Sequence, residues 1–333
     1  MQLDLVPLWT LILGLAVFLY VLLDGFDLGV GILYGFAPEA DRPSIMSSIL
    51  PIWDGNETWL VLGGLGLLAA FPLAFAIIIP AVYFPILIML LALVFRGAAF
   101  EFRFRHPALR RFWDHAFFSG SALATFAQGL VLGSYIQGFQ VTGRIFSGSS
   151  FDWATPFSFL TGLALMSGYS LLGAGWLILK TEGALQRWSR RAGRIAFAGV
   201  MIGIIAVSLW TPALDPAIAR RWFSWPNIAF LSPIPIATAA LGWAEWRALS
   251  GGRDLWPFIC AVGLFALSYL GIAISLWPDI VPHRYSLYDA ASSPGTQAFL
   301  LIGTLFLLPV IFTYTAWSYW VFRGKVRGGQ MHY

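Results

Sequence analysis

Apolar runs of roughly 20 residues recur from one end of the 333-residue chain to the other, and that recurrence restricts the fold more than any single motif. A run of that length crosses about 30 Å of hydrocarbon as a helix rising about 1.5 Å per residue. The core of a water-soluble domain does not require so many. The runs are continuous, whereas strands of a membrane barrel alternate apolar and polar residues over about 10 positions. The expectation is an all-α integral membrane protein with no soluble domain. The 59% hydrophobic and 11% charged composition leaves too little polar surface for any other class.

Nine spans are expected, at about 7–35, 52–71, 76–99, 116–138, 157–179, 195–211, 227–246, 256–277 and 297–322. The connections are short, so nothing is expected to fold outside the bilayer. Pro80 and Pro85 in the third span, and Pro233 and Pro235 in the seventh, predict kinks or late helix starts. A single cysteine, Cys260, leaves no intrachain disulfide and no thiolate metal site. The first run carries no basic residue before Pro7 and ends in Asp-Gly-Phe-Asp, which argues against a removed signal peptide.

Orientation follows from the basic residues. With nine spans, sixteen of the twenty Lys and Arg fall after odd-numbered helices and in the C-terminal tail, and four fall on the other side. The positive-inside rule then sets the N-terminus in the periplasm and the C-terminus in the cytoplasm. The net charge of +4 is explained by this asymmetry and does not point to nucleic acid. Tryptophans cluster at predicted span ends, where indole rings favour the headgroup level, and only Trp59 sits clearly inside a span.

Ionisable residues within spans are costly to bury and are therefore functional candidates. Three clusters stand out. The first is Asp24-Gly25-Phe26-Asp27-Leu28-Gly29-Val30-Gly31. Asp24 lies 17 residues after Pro7, roughly 25 Å down the helix and near the cytoplasmic face. Asp24 and Asp27 share a face at i, i+3, and the pairs Gly25/Gly29 and Gly31/Gly35 suit close helix approach. The pair reads either as carboxylates exchanging protons with cytoplasmic water or as interfacial acids near a helix end.

The second cluster is Trp53-Asp54-Gly55-Asn56-Glu57-Thr58-Trp59, opening the second span. Asp54 and Glu57 have the spacing of a helix-capping box. Capping does not call for Asn56 or for a tryptophan on each side, so a functional reading stays open. The third is Arg96-Gly97-Ala98-Ala99-Phe100-Glu101-Phe102-Arg103-Phe104-Arg105. Glu101 and Arg105 have helix-pair spacing. Arg96, the deepest basic residue, has Glu101 or an aspartate of the first cluster as its candidate partner, and Arg96 and Glu101 together are expected to fix helix geometry. All three clusters fall at one membrane face.

A haem held by this chain would need axial His or Met in the core. His106, His115, His283 and His332 all lie in connections or the tail, and methionines within spans usually serve packing. No phosphate loop, nucleotide fingerprint or metal-ligand cluster is present in the sequence, so the chain alone is not expected to catalyse redox chemistry.

Order and spacing of these three motifs resemble subunit II of cytochrome bd-type quinol oxidases. The short loops and the Glu57-Thr58 variant of the second motif are similar to the cyanide-insensitive branch. The resemblance implies an enzyme that oxidises membrane quinol and reduces dioxygen to water in the bacterial inner membrane. It implies two four-helix bundles, here 1–140 and 155–280, plus a peripheral ninth helix at 295–323. It further implies a pseudo-symmetric heterodimer with a haem-bearing subunit I, which holds haems b and d (or b only), and a small single-helix subunit beside them. No haem is expected on this chain. A structural quinone occurs in some members, and the sequence neither requires nor excludes one. By the same resemblance Asp54 and Asp24 would relay cytoplasmic protons toward subunit I, with Asp27, Asn56 and Glu57 orienting water or holding charge. Two rival readings remain at this level, a stand-alone proton-coupled transporter and a scaffold with no proton role.

Overall fold

The computed structural model describes residues 4–326; His332 and Arg327 lie outside them. The first apolar run is one unbroken helix, α1 (Val6–Phe36). A short α2 (Arg42–Ser47) turns the chain into α3 (Trp53–Ala70). The expected third span is split into α4 (Pro72–Ala81) and α5 (Tyr83–Arg105). The break falls at Val82, between Pro80 and Pro85, as prolines that cannot donate to the preceding turn require. A 3-10 turn (Pro107–Leu109) leads into α6 (Arg110–Gln137).

The second half begins with α7 (Pro156–Lys180), whose first turn is capped by the Thr155 side chain, followed by α8 (Gly183–Leu214). Two short helices, α9 (Pro216–Phe223) and α10 (Asn227–Leu231), precede α11 (Pro233–Ser250). The interruption at Ser232 again precedes the expected proline pair, Pro233 and Pro235. Then come α12 (Trp256–Leu276), the short α13 (Leu287–Ala290) and α14 (Pro294–Val321). Two small antiparallel hairpins pair β1 (Val141–Thr142) with β2 (Ile145–Phe146), and β3 (Asp279–Val281) with β4 (Tyr285–Ser286).

Among the described residues, eight helical segments are long and apolar enough to cross a membrane: α1, α5, α6 with its leading turn, α7, α8, α10 continued into α11, α12 and α14. The second expected span, α3, is not among them. Its 18 residues open on Asp54, Asn56 and Glu57, and those polar side chains dilute its apolar content.

The connections gather in two groups. At one end, Trp176 Nε1 donates to Ser48 O, Lys325 Nζ to Thr181 O, and Asp254 accepts from Arg190 and Lys325. At the other, Tyr288 donates to Asp4, Arg144 to the Asp289 carbonyl, and Ser292 N to Ala70 O. The first group carries most of the arginines and lysines and is called the basic end below.

Glycines place α1 at the centre. A side chain at Gly29 would run into the Tyr169 backbone and one at Gly173 into the Gly29 backbone, so α1 and α7 cross with their main chains in contact. Gly31 and Gly35 seat Ser121 and Phe118 of α6. Both small-residue pairs read from the sequence therefore serve close packing, one on each side of α1.

Candidate functional site

The deepest polar cluster forms where α1, α3 and α5 meet near the basic end. Asp24, Asp27 and Arg96 are each 0% exposed, and Asn56 is buried beside them. The i, i+3 spacing on α1 sets both aspartates on the face that meets α3 and α5. Arg96 Nη1 donates to Asp24 Oδ1 at 2.7 Å and lies 3.9 Å from Glu57 Oε2. Its guanidinium also sits 5.9 Å from the rings of Trp53 and Phe100, which stack on each other. Asn56 Nδ2 donates to Asp27 Oδ2 at 2.7 Å, and Asn56 Oδ1 accepts from Tyr319 of α14 at 2.9 Å.

Two carboxyl groups thus touch one guanidinium, and a third, that of Asp27, is held beside them by Asn56. Buried polar atoms are nearly always hydrogen-bonded, yet Asp24 Oδ2, Asp27 Oδ1, Arg96 Nε and Arg96 Nη2 have no partner among the described residues. These four atoms lie on three neighbouring side chains.

The sequence-derived candidates separate. Asp24, Asp27, Asn56, Glu57 and Arg96 come together. Asp54 is exposed on the outer face of α3, one turn from Glu57. The capping alternative for the second motif is not supported: Ile52 occupies the N-cap position, and no side chain caps the helix. Arg96 and Glu101, expected as one structural pair, do not pair with each other. Glu101 points outward and bridges Arg105 at 3.0 Å with both side chains more than half exposed, while Arg96 turns inward to Asp24. Helix rotation explains this, since residues five apart lie on different faces and residues four apart on the same one.

Three polar features were missed. Arg103 Nε donates to Asp114 Oδ1 at 2.5 Å and to the Tyr34 hydroxyl at 2.7 Å, Tyr34 donates to the same Asp114 oxygen, and Arg42 lies 3.7 Å from Asp114 Oδ2. The partners come from two stretches far apart in sequence, Tyr34 with Arg42 and Arg103 with Asp114, and Asp114 was assigned to a connection. Gln128 of α6 donates to Tyr20 and accepts from Tyr169, at 2.7 and 2.8 Å. Glu245 of α11 is 0% exposed, and neither carboxyl oxygen has a partner among the described residues. Glu245 lies in an expected span, so the rule that flagged the aspartates would have found it; Gln128 is not ionisable and falls outside that rule.

The described histidines lie at the ends of the molecule or on its surface. His106 and His115 are exposed, and the His115 ring contacts the Arg111 carbonyl. His283 Nδ1 is 2.9 Å from Asp215 at the end opposite the basic one.

Comparison with known proteins adds the following. Residues 5–322 match the family model described as cytochrome bd terminal oxidase subunit II. The chain is 26% identical to cytochrome bd-I ubiquinol oxidase subunit 2 of Escherichia coli, covering 96% of this chain and 94% of that one. It is 29% identical to cytochrome bd ubiquinol oxidase subunit 2 of Bacillus subtilis, covering 96% of each. Among solved structures it resembles a chain of the bd oxidase from Geobacillus thermodenitrificans, with a TM-score of 0.76 and 17% identity over 96% of this chain and 99% of that one.

Proposed function

The chain belongs to the cytochrome bd terminal oxidase subunit II family, a multi-pass bacterial membrane subunit of a quinol oxidase, and from that membership we propose that its buried acids carry protons from the cytoplasm toward a haem-bearing partner. In this reading α3 is a ninth span and the basic end faces the cytoplasm with the C-terminus. Residues 1–140 and 155–280 form two helical bundles beside a peripheral α14. The partner supplies the haem chemistry, namely electron transfer from quinol to dioxygen. This chain supplies none of the ligands.

What supports the proton role is the charge count around Arg96. One guanidinium offsets one carboxylate, while Asp24 and Glu57 both reach it and Asp27 lies beside them on Asn56. The cluster therefore holds more acid than base, the composition that a proton-carrying path calls for. Exposed Asp54 and half-buried Glu57 lie on one face of α3 and form a graded approach from the surface to Arg96 and Asp24. A transporter is disfavoured because α1 runs unbroken through the Asp24–Gly31 motif, whereas substrate sites in transporters commonly sit on interrupted helices at the midplane.

The test is made on the complete oxidase. Asp24→Asn and Asp54→Asn should each assemble with normal haem content. Each should slow oxygen reduction and the accompanying proton uptake together, by roughly tenfold or more for the buried Asp24, in the range typical of a lost proton-transfer group. Wild-type turnover and proton uptake in both variants would overturn the reading. Loss of haem on purification would assign these residues to assembly instead.

A further inference from the structure

A small cleft of about 10 Å³, room for about one water, lies at the basic end, lined by Ser48, Pro51 and Ile52 before α3, Trp176 and Lys180 of α7, and Tyr319 and Phe322 at the end of α14. Its inner wall is the Tyr319 ring, which stands edge-on to Phe26 and Trp176. The Tyr319 hydroxyl leaves the cleft and donates to Asn56 Oδ1, and Asn56 Nδ2 donates onward to Asp27 Oδ2. One wall of an open cleft and a carboxyl at 0% exposure are therefore two hydrogen bonds apart.

We propose that this cleft is the aqueous entrance to the acidic cluster, with Tyr319 and Asn56 as a two-residue gate over Asp27. The inference rests on the proton-carrying reading above and adds the route of entry, which the sequence gives no hint of. It also gives α14, expected to be peripheral, a positioning role.

The chemistry of the gate follows from its donors and acceptors. A carboxamide has no proton to pass on, so Asn56 cannot relay one. With Asp27 ionised, Tyr319 holds the Asn56 carbonyl oxygen, which turns the amide nitrogen toward the carboxylate. Transfer requires Asn56 to swing aside. A hydronium from the cleft then gives its proton to an Asp27 oxygen; an O–H bond forms there, one breaks on the hydronium, and water remains. Protonated Asp27 no longer needs a donor, so the amide can turn over and donate to Tyr319 instead. The gate thus has two hydrogen-bonded settings, one for each protonation state. Lys180 keeps the frame in place, because its ammonium donates to the Phe322 carbonyl at 2.6 Å and fixes the end of α14.

The experiment uses the intact oxidase and a pH-indicator dye to follow proton uptake after an oxygen pulse. Tyr319→Phe should keep haem content, slow uptake about fivefold or more, and raise the solvent deuterium isotope effect. Phe322→Cys, at the partly exposed rim, should be unaffected until a bulky thiol reagent is attached and should then lose uptake to a similar extent; the native Cys260 is buried. If Tyr319→Phe does not assemble, the labelled Phe322→Cys oxidase decides alone. Wild-type uptake in both, with Asp27→Asn slowed, would overturn the cleft as the entrance and leave the proton reading standing. Wild-type uptake in Asp27→Asn and Asp24→Asn as well would overturn that reading too.

Discussion

Two buried arginine clusters flank α1 near the basic end, and they are balanced in opposite senses. At Arg96, one cation meets Asp24 and Glu57, Asp27 is held nearby by Asn56, and one oxygen of each aspartate lacks a partner among the described residues. At Arg103, the single acid Asp114 meets Arg103, Tyr34 and Arg42, and both of its oxygens are engaged. The second arrangement has no acid left over to take up a proton. It ties α1, α5 and α6 together, and the atoms it leaves without a partner among the described residues, Arg42 Nε and Arg103 Nη2, are donors. The first has acid in excess and unsatisfied oxygens, and it faces both the exposed Asp54 and the Tyr319 cleft. On the proton-carrying proposal, charge balance, rather than burial or the presence of an ion pair, separates the Arg96 site from the Arg103 clamp.

The largest expected effect that would break this contrast is at Arg96. Arg96→Leu leaves Asp24 with no opposing charge at 0% exposure, and removing one partner of a buried pair costs about 3–5 kcal/mol. The variant oxidase should be recovered at a small fraction of wild-type yield, measured as assembled complex per mass of membrane. Normal recovery would mean that the guanidinium does not hold the acids.

Next in size is the clamp. Tyr34→Phe removes a donor to Asp114 within a buried set of charged groups, a loss of about 1–3 kcal/mol. Thermal unfolding should shift downward, yet turnover per assembled complex should stay at wild-type level. A slowed proton uptake there would erase the distinction between the two clusters. A third variant sharpens the contrast from another side. Glu245 is buried like the aspartates but stands alone on α11. Glu245→Gln keeps the shape and should change neither turnover nor proton uptake, whereas Asp24→Asn changes both.

These contrasts show what the sequence could and could not display. Apolar run length displayed the helices, because crossing hydrocarbon depends on local composition alone. Pro80, Pro85, Pro233 and Pro235 displayed the breaks, since a missing N–H is a local fact. The motif residues Asp24, Asp27, Asn56 and Glu57 were legible as candidates because polar side chains in apolar runs are conspicuous. Their pairing was not. Arg96 to Asp24 joins residues 72 apart, and Tyr319 to Asn56 joins residues 263 apart. Only packing brings those together, so Tyr319 carried no signal in its own neighbourhood. Asp114 was hidden for a further reason: α6 begins earlier than the apolar run suggests, at Arg110, which turns a supposed loop residue into a buried one.

The smallest expected effect concerns a charge pair at the rim, and it completes the scale. Asp254, in the connection between α11 and α12, accepts from Lys325 at 2.7 Å and from Arg190 at 2.9 Å, with all three side chains partly open to solvent. Partial burial works to raise its carboxyl, but the hydrogen bonds and charge from Lys325, with Arg190, hold it below the ordinary carboxylate range. A folded value below the unfolded one contributes stability that is present above about pH 4 and lost as pH falls through the folded value. Between pH 6 and 8 the contribution is therefore constant. Asp254→Asn should lower stability there by no more than about 1 kcal/mol, as for other solvent-accessible pairs. The difference from wild type should shrink in high salt and vanish in strong acid, because a screened or protonated Asp254 holds Lys325 no better than asparagine does. Thermal unfolding of the complex at two salt concentrations measures it. A salt-independent loss of several kcal/mol would show instead that the pair behaves like the buried clusters, and that solvent access does not set the scale.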